Sequence, residues 1–331
     1  MKAVVYDRYG PPDVLRIAQV ARPEPKADEI LIRVHAAAVT RADCATRDAN
    51  RKSGLGISII SRLISGLRRP RQPILGSEFA GTIEALGPGA REFTVGDAVF
   101  GNTGFRFGAH AEYLCVSESA RVAVKPALLS FEQAAAITDG GLNSMWTYKV
   151  ADLRHGQSIL IYGASGAIGT AGVQLARERG AEVTAVCNGG NLELVKSLGA
   201  NTVIDYTRED FTRNGKSYDF IFDAVGKLSF RQCERSLKPG GRYLATDGLQ
   251  NLLLALWTNR FGDKTVQFAI PPRYTKQDVQ FLKGLVEMGK FRPVVDRCYT
   301  MQQVVEAARY VETEQKVGNV ILTIGGSSGN E

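Results

Sequence analysis

Short apolar or alternating runs open the chain. Residues 3–6, 30–36, 80–86 and 111–116 carry hydrophobic side chains in strand-like order, separated by punctuation such as Tyr9-Gly-Pro-Pro and Leu86-Gly-Pro-Gly. That pattern predicts a compact β-rich domain with irregular loops. From about Ser130 the rhythm changes. Strand-like runs at 159–162, 182–186, 202–205, 220–224 and 243–246 alternate with helix-like segments at 166–179, 192–198 and 229–237, and Pro239-Gly240-Gly241 supplies a stop after the last. Residues 265–270, TVQFAI, read as a sixth strand at the sheet edge. Alternation of this kind predicts an α/β fold with a parallel, doubly wound sheet. Residues 277–288 and 302–312 return to helical spacing, 320–324 read as a closing strand, and the terminal GGSSGNE is expected to fray. The domains follow: 1–125, completed by 272–331, and a central one at 126–271.

Composition adds bounds. A chain of 331 residues, 44% hydrophobic and 23% charged, is globular rather than disordered and long enough for two cores. No apolar run approaches the ~20 residues that span a bilayer, and MKAVVYDRYG lacks the apolar core of a signal peptide. The cytoplasm is the expected compartment. Five scattered cysteines (Cys44, Cys115, Cys187, Cys233, Cys298) with no C-x-x-C pair argue against a disulfide framework and a four-cysteine zinc lobe. The net charge of +7 suits an anionic ligand, but the dispersed bases argue against nucleic acid.

Candidate chemistry begins at 159–171, ILIYGASGAIGTA, read as a buried strand turning into a helix whose N–H groups can hold a phosphate. Gly163 lets the turn tighten. Gly166 lets backbone approach a pyrophosphate, and Gly169 lets the helix lie close to its strand. Ala164, Ser165, Ala167 and Ile168 complete this candidate cofactor turn. The spacing is G-x-x-G-x-x-G, so its strand-before, helix-after context carries the reading as much as the glycines.

The second strand of such a fold chooses between NAD and NADP through an acid at its end. Here it runs into Cys187-Asn188-Gly189-Gly190-Asn191, with no acid before Glu193. A neutral pocket favours NADP, with a loop that tolerates either cofactor as the alternative. Asn188 and Asn191 are the candidate donors to a 2′-phosphate, although Asn is also common at turns for backbone reasons. Val225 and Gly226 in FDAVG are placed beside the cofactor ribose.

Together these residues resemble the medium-chain dehydrogenase/reductase superfamily, and within it the zinc-free quinone oxidoreductase branch with relatives that reduce activated alkenes. The resemblance rests on MKAVVYDRYGPPDVL, GSEFAGTIEALGPG, FTVGDAVFG, YGASGAIGTAGVQLA, VIDY, FDAVG, LKPGGRYLAT and KVGNVILTI, and spans nearly the whole chain. It implies a GroES-like catalytic domain formed by both termini around a central Rossmann domain. By similarity, the zinc-ligand positions of alcohol dehydrogenases fall on Thr40, on Ser77 and near Asp139. Two neutral hydroxyls there argue against a metal. Cys44 stands about one helical turn out of register. Hydride addition to a quinone or an α,β-unsaturated carbonyl needs no such metal, because the charge delocalises into a hydroquinone anion or enolate. The implied activity is NADPH-dependent, zinc-independent reduction of quinones or enones. The alternatives are a low-turnover NADP(H)-binding structural or regulatory protein and, less favoured, an alcohol dehydrogenase.

The resemblance also implies site residues. Thr40 is the candidate catalytic polar contact to substrate or nicotinamide, with a turn cap as the plain alternative. Asn143 occupies the place of a Thr that touches the nicotinamide ribose. Tyr206 resembles the family tyrosine near the adenosine phosphate, and Asn319 could return to the cofactor, whereas Lys316 reads as a solvated charge. His35 and His110 have no evident partner, and no proton donor is identified. Residues 57–67, ISIISRLISGL, flanked by Arg51-Lys52 and Arg68-Arg69-Pro70-Arg71, are an apolar insertion. It reads as a lid or packed cover before a partner contact or a membrane-surface helix, so membrane association is not expected. The apolar edge at 265–270 predicts a homodimer.

Overall fold

The computed structural model describes residues 1–51, 55–246, 249–269 and 272–325. The chain divides into two units: Met1–Asp139 with Thr275–Glu287 and Pro293–Glu331, and Gly140–Tyr274 with Met288–Arg292. The boundary therefore falls after Asp139 rather than 125. The helix Phe131–Ala135 explains the difference, because it packs on the strands Glu29–Val39, Glu78–Leu86 and Asn319–Thr323 of the first unit. The change of rhythm near Ser130 marks that helix's capping box, with Ser130 accepting from the Gln133 amide, and not a new domain.

The second unit holds six parallel strands in the spatial order Thr202–Asp205, Glu182–Cys187, Ser158–Tyr162, Tyr218–Asp223, Leu237–Ala245, Thr265–Phe268. Chain order reverses between Ser158–Tyr162 and Tyr218–Asp223, and the carboxyl ends of strands at such a switch point are where folds of this kind take ligands. The alternation read from sequence produces this sheet because each strand is buried on both faces: Ile159, Leu160, Ile161, Ile221 and Phe222 are fully buried. Two readings need correction. The expected helix at 229–237 is only Phe230–Cys233 followed by a 3-10 turn at Glu234–Ser236. Pro239-Gly240-Gly241 does not precede a strand but lies inside Leu237–Ala245, where the pairing slips between Tyr218 and Phe220. Pro cannot donate to the ladder, so the three residues bulge out of it. The edge strand ends at Phe268, and Ile270 lies outside the described residues.

The first unit is built on a seven-stranded sheet. Val295–Thr300, Asn319–Thr323, Glu29–Val39, Glu78–Leu86, Ala98–Asn102 and Arg121–Val124 lie in that order, and Tyr113–Ser117 pairs with Glu29–Val39. Only the Val295–Thr300 pair is parallel. Lys2–Val5 and Arg16–Gln19 pair as a separate two-stranded antiparallel sheet, bridged to Ile74 and Ala111. The core gathers Val4, Tyr6, Ile30, Ile32, Phe79, Ile83, Val99, Val320 and Leu322, so both ends of the chain supply it. The tail expected to fray lies, from residue 326 on, outside the described residues.

Candidate active site

The glycine turn in the second unit has the geometry its spacing implied. Gly163 adopts φ +75°, and a Cβ there would lie 2.5 Å from Val225 Cγ1. A Cβ on Gly169 would meet Gly163 O at 2.2 Å and Ala164 Cα at 2.6 Å, so the helix Ala167–Glu178 can touch its own turn only through glycine. Gly166 differs. Its Cβ would find only Gly163 O, at 3.5 Å, so the protein's own packing does not require glycine there. That open cradle sits at the helix start. The first intrahelical bond runs from Thr170 N to Gly166 O at 2.8 Å, leaving the amides of Ala167, Ile168 and Gly169 ahead of it without an intrahelical acceptor. Ser165 lies in the same turn. Such a helix start, with its amides unpaired in the helix, favours an anion.

Neighbouring loops are tied down by carboxylates. Buried Asp223 accepts from the amides of Val225 (3.2 Å), Gly226 (2.9 Å) and Leu228 (2.8 Å), and from the Tyr243 hydroxyl at 3.0 Å. It thereby holds the loop carrying Val225 and Gly226. After Glu182–Cys187, the Asn188 side chain accepts from the Gly190 amide at 3.1 Å, so its oxygen is committed to the turn, and Asn191 follows in the 3-10 turn Gly189–Asn191. Asp205 closes the next strand against Gly189, whose Cβ would fall 2.4 Å from Asp205 Oδ2. Hydrogen bonds from the Thr207 amide and hydroxyl hold the Asp205 carboxyl below the usual range. Exposed Arg208 stands 3.7 Å from it, a base beside this pocket that the loop itself lacks. Sequence reasoning missed it because it arrives in the turn after the neighbouring strand Thr202–Asp205. Tyr206, 45% exposed, lies 6.2 Å from the Tyr162 ring, centroid to centroid. Asn143 sits within the helix Thr138–Ala151, its Oδ1 accepting from the Tyr274 hydroxyl at 2.7 Å.

The first unit gathers a buried group of charges that no motif announced. Thr40 caps the helix Arg41–Arg47: its amide and hydroxyl donate to Asp43 Oδ2 at 2.8 and 2.7 Å, and its oxygen accepts from the Asp43 amide at 3.2 Å. The hydroxyl's one proton is thus directed at Asp43, and Thr40 can meet a substrate only as an acceptor. Asp43 Oδ1 in turn takes the Gly76 amide at 2.8 Å. The Ser77 hydroxyl donates to Glu78 Oε2 at 2.9 Å, and Asn102 Nδ2 donates to Glu78 Oε1 at 2.8 Å. Burial, with Asp139 and Asp43 nearby, holds the Glu78 carboxyl well above the usual range. Burial raises Asp139 as well, opposed by the Lys316 ammonium. Lys316 is the correction here. It is half-buried rather than solvated, donates to Gly318 O at 2.6 Å, and is lowered by burial against the pull of Asp139 and Asp296. An acid opening an apolar strand, Glu78 in EFAGTIEAL, was the one signal available in sequence.

These residues do not suit zinc. Thr40 and Ser77 offer neutral hydroxyls whose protons already go to carboxylates, where tetrahedral zinc takes thiolate or imidazole. Cys44 is buried with its thiol pushed up to about 12 and aimed at Ala308 O, 3.8 Å away. Asn319 is tied within the first unit, its amide donating to Ala136 O (3.2 Å) and Val294 O (3.1 Å). Those bonds spend the donors with which it would reach a cofactor. His110 Nε2 meets Ala38 O at 2.8 Å, and its Nδ1 is buried without a partner among the described residues.

Residues 26–127 match the alcohol dehydrogenase GroES-like domain, and 198–322 match a family described as zinc-binding dehydrogenase. The 2-methylene-furan-3-one reductase of Solanum lycopersicum is 30% identical, over 97% of this chain and 79% of that protein. The chloroplastic NADPH-dependent alkenal/one oxidoreductase of Arabidopsis thaliana is also 30% identical, with the same coverage. Among solved structures, the quinone oxidoreductase from Coxiella burnetii superposes with a TM-score of 0.86 at 27% identity, over 98% of this chain and 99% of that one.

Proposed function

This chain belongs to the medium-chain dehydrogenase/reductase superfamily, in its quinone oxidoreductase-like branch, and on that premise we propose that it reduces quinones or α,β-unsaturated carbonyls with NADPH and without zinc. The observation that carries this reading is the pairing of an open phosphate cradle at Gly166 with hydroxyls at 40 and 77 that are spent on Asp43 and Glu78. When bound, the dihydronicotinamide supplies a hydride. The turn Gly163–Ile168 would hold the pyrophosphate, with Val225 and Gly226 along the ribose and Asn143 toward the nicotinamide side. Arg208, Tyr206, Asn188 and Asn191 would meet the adenosine 2′-phosphate, Arg208 as its charge partner. Thr40 and Asn319 stand as weaker contacts, since their donors are already committed.

Reduction of a conjugated acceptor places hydride on one end of the π system and develops negative charge at the other, which takes a proton. Glu78, its carboxyl raised by burial and by Asp139 and Asp43, is a proton source this unit offers, with Lys316 balancing Asp139. A homodimer through the edge strand Thr265–Phe268 and a reducing, cytoplasmic setting for five free cysteines complete the reading. Stopped-flow mixing tests it. Chelator-treated protein preloaded with NADPH should oxidise it on meeting simple quinones and enals. Turnover that appears only after zinc is restored, or binding without any oxidation, defeats the proposal.

A further inference from the structure

Among its described side chains, the helix Leu55–Ser65 turns polar groups inward and apolar ones outward. Ser58 is buried, while Ser61, Arg62 and Ser65 are half-buried. Ser61 bonds to Asn50, the Arg62 guanidinium lies 5.1 Å from the Tyr9 ring centroid, and the Tyr9 hydroxyl donates to Gly66 O at 2.7 Å. The polar side therefore holds the helix to the first unit. On the other side Ile59 and Leu63 are 50% and 59% exposed, and Leu67, just past the helix end, continues the stripe at 61%. A helix that serves a core does the reverse. The segment read as a packed cover leaves this stripe in water, and an apolar face four residues apart in repeat calls for an apolar partner.

Charge identifies the partner. From residue 49 to 77 the sequence has six bases (Arg51, Lys52, Arg62, Arg68, Arg69, Arg71) and no acid. Arg51, Arg68, Arg69 and Arg71 are exposed, at the two ends of the apolar stripe. A second copy seated face to face would set the same bases against each other. A bilayer with anionic headgroups meets both requirements at once: acyl boundary for the stripe, phosphates for its ends. The helix is too short to cross, and among the described residues no helix is long and apolar enough to do so. We propose that the helix Leu55–Ser65 and the arginines around it form a peripheral docking face for anionic phospholipid surfaces, with Ile59, Leu63 and Leu67 entering the headgroup layer. A face of this kind would bring the enzyme to acceptors dissolved in lipid, although the docking itself does not depend on the substrate.

Co-sedimentation of the full chain with vesicles tests it. Binding is expected to vesicles containing about 30% phosphatidylglycerol, at least tenfold weaker to pure phosphatidylcholine. Arg68→Glu with Arg69→Glu should lower binding about tenfold or more, and Ile59→Ser with Leu63→Ser should lower it comparably at unchanged charge. Both pairs are exposed, so NADPH binding in solution should stay as it was, which separates failure here from failure of the proposed reaction. No vesicle binding, equal binding to both compositions, insensitivity to either pair, or a doubled mass in solution that Leu63→Ser abolishes would overturn the proposal.

Discussion

The glycine turn and the buried charge group are built by opposite means. The turn takes its shape from residues six apart, Gly163 and Gly169, whose backbone approaches exclude side chains. The charge group takes Asp43, Glu78, Asp139 and Lys316 from four separate stretches, and its properties come from burial, repulsion among the acids and the opposing Lys316 ammonium. One is a steric device, tolerant of pH and intolerant of a methyl. The other is electrostatic, tolerant of small shape changes and sensitive to charge.

The largest expected effect is at Gly169. Gly169→Ala drives a methyl within 2.2 Å of Gly163 O, so thermal denaturation should show a loss of about 3 kcal/mol or more, or failure to fold. Gly166→Ala is the contrast. Its melting temperature should stay within about 2 °C of the parent while calorimetry shows NADPH affinity down about a hundredfold, because the methyl occupies the phosphate's place and nothing else. Unchanged affinity would mean that the cradle is not a phosphate site.

Next comes Arg208→Ala. Loss of one charge-assisted bond to a 2′-phosphate should reduce the NADPH-to-NADH preference in kcat/KM about tenfold, with NADH kinetics untouched. Equal losses with both cofactors would remove Arg208 from that role.

Glu78 tests the electrostatic half. Its folded carboxyl titrates above its unfolded value, so its contribution is intact at low pH and is lost as pH rises through the folded pKa. Glu78→Gln keeps acceptor to Asn102 and can donate to the Ser77 oxygen, yet never ionises. Its melting temperature should exceed the parent's by about 2–4 °C at pH 8 and match it at pH 5. A gain at both pH values, or at neither, contradicts the burial argument. The smallest effect is expected at Cys44. Cys44→Ala should leave zinc content and turnover unchanged and lower the melting temperature by about 1–3 °C. A fall in bound zinc would make Cys44 a ligand after all.

Legibility followed the same division. Thr202–Asp205 matches its sequence reading end to end, and Ala167–Glu178 and Lys276–Glu287 lie within one residue of theirs, because period and caps are local. Two long helices were missed, besides the short Arg41–Arg47 and Phe131–Ala135. Thr138–Ala151, TDGGLNSMWTYKVA, mixes small and polar residues on every side, and Leu249–Phe261, LQNLLLALWTNRF, runs apolar without a stripe. Short half-exposed strands such as Arg16–Gln19 and Val295–Thr300 also lacked a pattern. In the site, Gly163 and Gly169 could be given their mechanical roles from spacing alone. The commitment of Thr40 to Asp43, the tether of Asn319 and the half-buried state of Lys316 could not.

What the chain encodes by itself is therefore backbone geometry: which runs extend, which coil, and where a glycine is the sole residue that fits. Periodicity and steric exclusion act between near neighbours and survive in a one-dimensional string. Tertiary structure alone decided which carboxylates lost their water, which hydroxyl had already given up its proton, and which face of the 55–65 helix looked outward. Solvation and hydrogen-bond satisfaction belong to a place in space, and residues far apart along the chain, such as Asp139 and Lys316, acquire theirs only when the fold brings them together.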